Sequence, residues 1–447
     1  MRGECAPALL PDHRVPAMTA VEGPPEGAVD LDRDPSERSA RRRERDFRLL
    51  WCGETVSLFG TQITLVALPL TAVLVLHASG PEMGLITAAG WLPVVVLGLI
   101  AGAWSDRRDQ RRTMIVCNVC RAVLIGAIPL LAAVDLLTVP TLLVLAFVTG
   151  CFAVFFDVSY QTLVPLTVAP DRLAGANSRL EMSRSFAQLL GPTVAGFLVV
   201  QLSAAGTLTV DAASYAVSAA CIFAMTTRRP SAKPSPPSRP NGVRGLRTDL
   251  AEGLHFVRRH RPIQLVIIAG AASNLFTAGL MALHVLYAAR DLNLSPRVIG
   301  ACLAAEGAAA LIGSVLTARI IRRMGEPRTV LMGLALLTGG GFVLAATSLP
   351  WSWAGFAAAQ FAFGFSSPLI NVSLVTLRQR LTPEHVLGRV NSVARVGIMS
   401  SLPLGSLLAG TAAGVFSNQF ALWSCAVGLA VVLATMAAPL LRVEPSE

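Results

Sequence analysis

The chain has 447 residues, of which 53% are hydrophobic and 14% are charged, and its formal net charge is +10. A soluble protein carries about 25% charged residues, so this composition excludes a single water-soluble core. The positive charge by itself could indicate a nucleic-acid partner. The arginines, however, occupy short gaps between long apolar blocks, which favours a membrane protein whose basic residues set its orientation and contact anionic lipid rather than nucleic acid.

Residues 1–46 are rich in Pro, Gly, Asp and Arg and show no apolar period, so we predict a disordered cytoplasmic tail. No apolar region typical of a signal peptide follows Met1. Met18 is an alternative start.

Twelve apolar blocks follow the tail, each close to the roughly 20 residues that a helix needs to cross a bilayer. In lipid such a block must be helical, because no water is present to satisfy free backbone groups. We therefore predict an all-α membrane protein with twelve transmembrane helices in two six-helix bundles, at 47–226 and 262–440. The predicted spans are 48–76, 82–103, 113–134, 140–165, 184–203, 207–226, 262–289, 296–317, 328–348, 351–375, 391–413 and 419–440.

The gaps between the blocks differ in their basic residues, and arginine is concentrated in alternate gaps. Only Arg290 and Arg297, between spans seven and eight, break this alternation. By the positive-inside rule, both termini and the central loop are cytoplasmic in an inner or plasma cell membrane. The arginines that carry this prediction are Arg107, Arg108, Arg111, Arg112, Arg172, Arg179, Arg319, Arg322, Arg323, Arg328, Arg378, Arg380 and Arg389.

The central gap, 227–261, is the longest. Its first part, 228–242, is a Pro/Ser-rich flexible linker. In the second part, 246–261, leucines and a valine recur at helical spacing between basic residues, which predicts a short amphipathic helix on the membrane surface. A plain linker is the alternative. A short cytoplasmic tail, 441–447, ends the chain.

The two halves of the chain resemble each other. DRRDQRRT begins at Asp106 and RRMGEPRT at Arg322, while PDRLAGANS begins at Pro170 and PEHVLGRVNS at Pro383. Both pairs have nearly the same offset, so the match predicts two bundles of equal orientation, related by an axis along the membrane normal. Transporters built in this way bind their substrate between the halves, near the bilayer midplane.

Four stretches carry a resemblance to a known family. They are LWCGETVSLFGTQITLVALPL from Leu50, GAWSDRRDQRR from Gly102, NVCRAVL from Asn118, and LVPLTVAPDRLAGANS from Leu163 with GPTVAG from Gly191. With these stretches the chain resembles the major facilitator superfamily over most of its length. Within that superfamily it is similar to the exporter branch of macrolide efflux pumps and the enterobactin exporter. The resemblance implies alternating access between two bundles and a small-molecule substrate, without enzymatic activity.

The resemblance also implies a gating role for the loop after the second span. The family pattern there is roughly G-x-x-x-D-R-x-G-R-R/K, and it is matched by Gly102, Asp106, Arg107 and Arg111, which Arg112 follows. Asp109 stands at the usual glycine, and Gln110 at the first arginine of the final pair. A carboxylate at this helix end can pair with arginine and with the N-terminus of a helix of the other half. The alternative is a loop that is basic only for topology.

Ionisable residues inside predicted spans are functional candidates, since charge is costly in lipid. Glu54 and Glu306 are the first proton or substrate candidates, because a carboxyl group in apolar surroundings can exchange a proton near neutral pH. Asp157 and Arg121 are further candidates and could form a structural ion pair. We expect Asp211, near the start of span six, to be an interfacial cap.

Gly191, Pro192 and Gly196 resemble the fifth-span signature of antiporters, with Ala195 at one of the usual glycines. Proline bends a helix and glycine admits a close neighbour, so a helix bend that shapes the gate is one interpretation. Ordinary helix packing is the other.

The preferred function is export of a hydrophobic drug or natural product driven by proton influx. Alternatives are a siderophore or other metabolite exporter, proton-coupled nutrient uptake, and a non-transporting membrane sensor. The sequence has neither a phosphate-binding G-x-x-x-x-G-K-[ST] nor an H-E-x-x-H motif. Cys117 and Cys120 have no second cysteine pair and no histidine cluster, so we do not expect a metal site. No other cofactor is expected. We take a monomer as the default.

Overall fold

The computed structural model of the protein describes residues 35–105, 108–169, 172–226, 243–348 and 352–442. Most of the predicted N-terminal tail, both candidate starts, the Pro/Ser-rich linker and nearly all of the C-terminal tail lie outside the described residues.

The described residues form thirteen α-helices and contain no strand. A π-helical turn, Tyr287–Asp291, follows the eighth helix directly. The α-helices are α1 (Pro35–Leu74), α2 (Gly80–Ser105), α3 (Gln110–Ala133), α4 (Val139–Thr167), α5 (Leu173–Leu202), α6 (Ala204–Phe223), α7 (Val243–Arg259), α8 (Arg261–Leu286), α9 (Pro296–Met324), α10 (Glu326–Ala346), α11 (Ser352–Leu381), α12 (Glu384–Val415) and α13 (Asn418–Leu441).

Twelve of these helices, all except α7, are long and apolar enough to cross a membrane. The predicted fold class, an all-α membrane protein with twelve spans, is confirmed. The physical reason is that the length and hydropathy of each block are set by the bilayer and can be read without knowledge of neighbouring helices.

Several helices begin earlier than predicted. Residues 35–46, assigned to the disordered tail, belong to α1, and α5 begins at Leu173 instead of 184. Asp46 is fully buried, and its carboxylate accepts hydrogen bonds from the backbone N–H of Thr226 at 3.0 and 3.1 Å. The prediction failed here because hydropathy marks only the lipid-embedded part of a helix, whereas backbone hydrogen bonding continues into the polar region beyond it.

The contact between Asp46 and Thr226 places this part of α1 beside the residues that follow α6. We call this face of the membrane domain, which also holds the end of α13, the terminus side. The other face, at the loops before α2, α4, α6, α9, α11 and α13, is the opposite side.

The two bundles, α1–α6 and α8–α13, pack on each other mainly through α2 with α12 and α5 with α9. In each bundle the contact is made by the second and fifth membrane helices. The second membrane helix of each bundle packs on the fifth membrane helix of the other. A pseudo-twofold axis produces this arrangement, in agreement with the repeat in the sequence.

The helix α7 packs against the terminus-side end of α12. A Cβ atom on Gly253 would lie 2.7 Å from the carbonyl oxygen of Arg389, and Val257 is buried against Ile263 and Val390. The side-chain amide of Gln264 donates to the last carbonyls of α7, at Val257 and Arg258. The predicted amphipathic segment is therefore helical and docked, while its position on a membrane surface stays a prediction.

Candidate functional site

On the opposite side, glycines bring the two bundles into direct backbone contact. A Cβ atom on Gly84 of α2 would lie 2.9 Å from the Cα of Gly410 in α12. A Cβ atom on Gly300 of α9 would likewise lie 2.9 Å from the Cα of Gly196 in α5. Such contacts leave no room for any side chain, so the bundles are closed on the opposite side.

Towards the terminus side, α5 and α9 each contact other helices of their own bundle. In that half of α5 Ser183 is buried, and its hydroxyl accepts from Trp51 Nε1 and Thr55 Oγ1 of α1, each at 2.9 Å. In that half of α9 Gly313 is buried against Phe365 of α11. Each helix thus packs on its own bundle there, and the neighbouring Arg184 and Ile312 are exposed. We interpret this exposure as a cleft between the bundles that opens on the terminus side.

Glu54, the first predicted proton candidate, is 8% exposed and lies in α1. Its Oε2 atom is buried and has no hydrogen-bond partner among the described residues. The charged groups that face it are Asp157, Arg121 and Arg184. Glu54 is therefore a buried carboxyl group without a fixed hydrogen bond on one of its oxygens, inside a cluster of mixed charge.

The predicted ion pair between Asp157 and Arg121 does not form. No carboxylate of the described residues lies within 4.0 Å of the Arg121 guanidinium. That guanidinium instead donates a hydrogen bond to the hydroxyl of Tyr215 and lies 4.0 Å from the centre of its ring. The Asp157 side chain is exposed in α4, and it faces Arg395 of α12 in the other bundle. The sequence favoured the pair because residue spacing does not show that Tyr215 contacts the Arg121 guanidinium in the folded protein.

The expectation for Asp211 is also wrong. This residue is fully buried two turns into α6 and does not cap its end. Thr64 Oγ1 of α1 donates to its carboxylate at 2.5 Å, and Ser214 Oγ donates at 3.0 Å. The helix end is capped by Ser203, whose Oγ accepts from the N–H of Gly206.

Glu306, the second predicted candidate, lies in α9 at the contact with α11. Gln360 Nε2 of α11 donates to Glu306 Oε2 at 3.2 Å, and Gln360 is fully buried. The Oε1 atom of Gln360 has no partner among the described residues. The adjacent Gly307 packs on the backbone of Gln188 in α5, so Glu306 lies next to the junction of the bundles.

The Gly-Pro signature of α5 lies at two helix contacts. A Cβ atom on Gly191 would lie 2.5 Å from Gln62 Cβ of α1, and one on Gly196 would lie 2.5 Å from the carbonyl oxygen of Pro296 in α9. Pro192 is inside α5, which continues through it. Close packing is thus observed, and a functional bend stays a prediction.

The structure describes only part of the predicted gating motif. Asp106 and Arg107 lie outside the described residues, and Gly102 belongs to the last turns of α2. Arg111 donates through Nε and Nη2 to the carbonyls of Ile222 and Phe223 at the end of α6. Arg112 pairs with Asp109, which caps the start of α3. These residues therefore hold helix ends within the first bundle.

The equivalent loop of the second bundle has a similar local role. Glu326, at the start of α10, is buried, and its carboxylate pairs with Arg380 of α11 at 3.0 Å. Arg378 Nε donates to Asn391 Oδ1 of α12 at 2.9 Å. In both halves, then, these repeated segments tie neighbouring helix ends together on the terminus side.

The sequence analysis did not identify Tyr215, Arg184 or Arg395 as part of this cluster. All three lie inside predicted spans. Two of them are arginines, and a charged residue inside a span is a signal that could have selected them. Among the described residues there is no group of three or more His, Cys, Asp or Glu side chains placed to hold a metal ion.

Two six-helix bundles that meet through their second and fifth helices, with charged side chains inside the spans, are the architecture of a membrane transporter. A model of the Major Facilitator Superfamily matches residues 50–396 and 266–447. The chain belongs to this superfamily, and it is a multi-pass membrane transporter and not an enzyme.

Several relatives are similar over most of their length. The multidrug efflux pump Tap of Mycolicibacterium fortuitum is 30% identical over 81% of this chain and 88% of the relative. The MFS-type transporter YfiS of Bacillus subtilis (strain 168) is 26% identical over 86% of this chain and 89% of the relative.

Solved structures agree in fold. A mutant form of the nucleoside transporter NupG superposes with a TM-score of 0.75 at 10% identity, covering 88% of this chain and 99% of that one. A bacterial homologue of the iron transporter ferroportin in an inward-facing state gives a TM-score of 0.68 at 16% identity, covering 89% and 99%.

Proposed function

We propose that this transporter exports a hydrophobic drug or natural product across the cell membrane by proton antiport, with the terminus side in the cytoplasm. Similarity to the Tap multidrug efflux pump supports the direction and the substrate class. The arginines in the terminus-side gaps support the orientation. We further propose that the monomer, surrounded by membrane lipid, is the working unit.

One observation carries the proton coupling: the buried Oε2 atom of Glu54 has no hydrogen-bond partner among the described residues. A permanently charged carboxylate at such a place would be expensive, whereas a carboxyl group that gains and loses a proton as its surroundings change is suited to drive a cycle. The cleft on the terminus side supplies the route by which protons and substrate reach this region. Asp157, Arg121 and Glu306 are the further candidates for proton or substrate contact.

In this mechanism the described conformation is the one that loads substrate from the cytoplasm. Its exchange with a conformation open on the opposite side requires the Gly84–Gly410 and Gly196–Gly300 contacts to separate and the terminus-side ends to meet. We propose that Asp106 and the loop motif around it, with Arg107, Arg111 and Arg112, stabilise that second conformation.

The test is dye and macrolide accumulation in cells that express the chain, with and without a protonophore. Ethidium, Hoechst 33342 and erythromycin serve as probes. We expect lower accumulation than in control cells, and we expect the difference to vanish with the protonophore, with Glu54→Gln and with Asp106→Asn. The matched control is Asp135→Asn, which changes an exposed carboxylate in the loop between α3 and α4.

If Asp135→Asn exports like the unchanged chain while Glu54→Gln does not, the loss is specific to the buried carboxyl group. No export of any probe, with the protein shown to be in the membrane, contradicts the drug-pump proposal and favours a narrow metabolite exporter or an uptake system. Export that survives the protonophore contradicts proton antiport.

A further inference from the structure

A second buried polar cluster lies in the first bundle, deeper than Glu54. We call Asp211 and Tyr215 of α6 with Thr61 and Thr64 of α1 the α6 cluster. The carboxylate of Asp211 accepts from Thr64 Oγ1 at 2.5 Å, and the hydroxyls of Tyr215 and Thr61 lie 3.1 Å apart. Both Asp211 and Tyr215 are at most 2% exposed. This cluster joins α1 to α6 through hydrogen bonds in an otherwise apolar interior.

Arg121 of α3 is attached to this cluster. Its guanidinium donates to the Tyr215 hydroxyl and covers the Tyr215 ring, and the side chain is 7% exposed. A guanidinium keeps its proton in any protein environment, so the buried positive charge needs an anionic neighbour. Asp211 is the carboxylate on this side of Arg121.

On the other side of Arg121 lie Glu54 and Asp157, and neither carboxylate is within 4.0 Å of its guanidinium. Arg121 Nε is buried and has no acceptor among the described residues. The guanidinium therefore has carboxyl groups on two sides, and none of them is within 4.0 Å. Its hydrogen bond to the Tyr215 hydroxyl attaches it to the α6 cluster. Its unused N–H donor leaves it able to exchange partners.

We infer that Asp211 and Tyr215 are positioning residues that hold Arg121 away from Glu54 in this conformation, and that Arg121 exchanges to Glu54 when Glu54 loses its proton. The inference rests on the proposed proton coupling. The proton leaves a carboxyl oxygen of Glu54 for water in the cleft, and the carboxylate left behind takes Arg121 as its counter-ion. Arg121 itself neither gains nor loses a proton.

The charged and titratable groups around this exchange come from every helix packed on it. Glu54 faces Asp157, Arg121 and Arg184, and Asp157 faces Arg121, Arg184 and Arg395. Tyr160 of α4 faces Glu54, Asp157, Arg184 and Glu181, while Cys117 faces Arg121. Of these groups, only Arg121 is both a buried cation and hydrogen-bonded to the α6 cluster, so it is the group whose position Tyr215 controls.

The test reads the protonation of Glu54 without any transported ligand. Dicyclohexylcarbodiimide reacts with protonated carboxyl groups in apolar surroundings, and mass spectrometry of the Glu54 peptide gives the extent of labelling. The purified full chain is labelled across a pH series. Tyr215→Phe keeps the ring and removes the hydroxyl that holds Arg121, so Arg121 turns to Glu54 and favours the unprotonated form. We expect the midpoint of labelling to move to lower pH by about one unit or more.

Asp211→Asn is the second variant, nearly equal in shape, and is expected to shift the midpoint in the same direction. Ser218→Ala is the matched control. It removes a buried hydroxyl one turn along α6, which accepts from Asn118 Nδ2 at 2.9 Å and is not hydrogen-bonded to Arg121. Its midpoint is expected to equal that of the unchanged chain.

If neither Tyr215→Phe nor Asp211→Asn moves the midpoint, or if Ser218→Ala moves it equally, the positioning inference is overturned whatever the transport assay gives. If the midpoint shifts as expected while efflux proves insensitive to the protonophore, the positioning of Arg121 stands and proton antiport fails.

Discussion

The Cα atom of Gly196 in α5 lies 2.9 Å from the point that a Cβ atom on Gly300 in α9 would occupy. The same relationship recurs between Gly410 in α12 and Gly84 in α2, also at 2.9 Å. Two pairs of pseudo-equivalent helices thus meet without intervening side chains on the opposite side. These contacts would be lost in a conformation that is open on the opposite side. A substitution at one of these glycines is therefore expected to change the equilibrium between the two conformations.

Gly300→Ala is expected to disfavour the described conformation. Its methyl group would clash with the carbonyl oxygen of Pro192, and overpacking of this kind costs about 1–3 kcal/mol. Spin labels at positions 136 and 416, in the exposed opposite-side loops of the two bundles, would report longer distances. Gly339→Ala is the control, because nothing lies within 4 Å of its added Cβ. An unchanged distance distribution for Gly300→Ala would show that the contact does not limit opening.

Glu306→Gln removes a carboxyl group that can be protonated and keeps the shape of the side chain. It therefore tests the role of Glu306 in proton transfer apart from its role in packing. A glutamine there can keep the hydrogen bond from Gln360 Nε2 and can also donate to the Gln360 Oε1 atom, which has no partner among the described residues. We therefore expect thermal stability within about 0.5 kcal/mol of the unchanged chain but loss of protonophore-sensitive efflux. Unimpaired efflux would exclude Glu306 from the proton cycle and leave Glu54 as the leading candidate.

Asp46→Ala should destabilise the first bundle on the terminus side. The variant removes the carboxylate that accepts from the backbone N–H of Thr226, leaving a donor at the end of α6 without its buried partner. The expected loss is about 1–3 kcal/mol, measured as a lower unfolding temperature in detergent. Glu44→Ala, which removes an exposed carboxylate two residues earlier, should have little effect. Equal losses in the two variants would argue against a specific role of Asp46.

Gly253→Val should detach α7 from α12. The added side chain would begin 2.7 Å from the carbonyl oxygen of Arg389, with no flexible group to yield. We expect backbone amides of α7 to exchange with deuterium at least about tenfold faster, because exchange reports the free energy of local opening. Arg258→Ala, an exposed position in the same helix, is the control. Unchanged exchange in Gly253→Val would mean that α7 accommodates the clash without leaving α12.

Much of the fold could be predicted because the bilayer acts on each segment separately. Twelve apolar blocks, their helical state and the division into two related halves follow from composition, spacing and an internal repeat. The ends of the helices could not be predicted in the same way. The early start of α5 at Leu173 and the inclusion of 35–46 in α1 depend on polar residues whose hydropathy is that of a loop.

For the candidate site, too, the sequence determined some features and the tertiary structure determined the others. The sequence alone determined which residues carry charge inside apolar spans, because an ionisable group in lipid is conspicuous wherever it falls; Glu54, Arg121, Asp157 and Glu306 were found in this way. Only the tertiary structure decided their partners. Arg121 lies on Tyr215 instead of pairing with Asp157, and Asp211 is bound to Thr64 inside the bundle. These partners are distant along the chain, and which of several possible pairs forms depends on how the helices rotate and pack against one another.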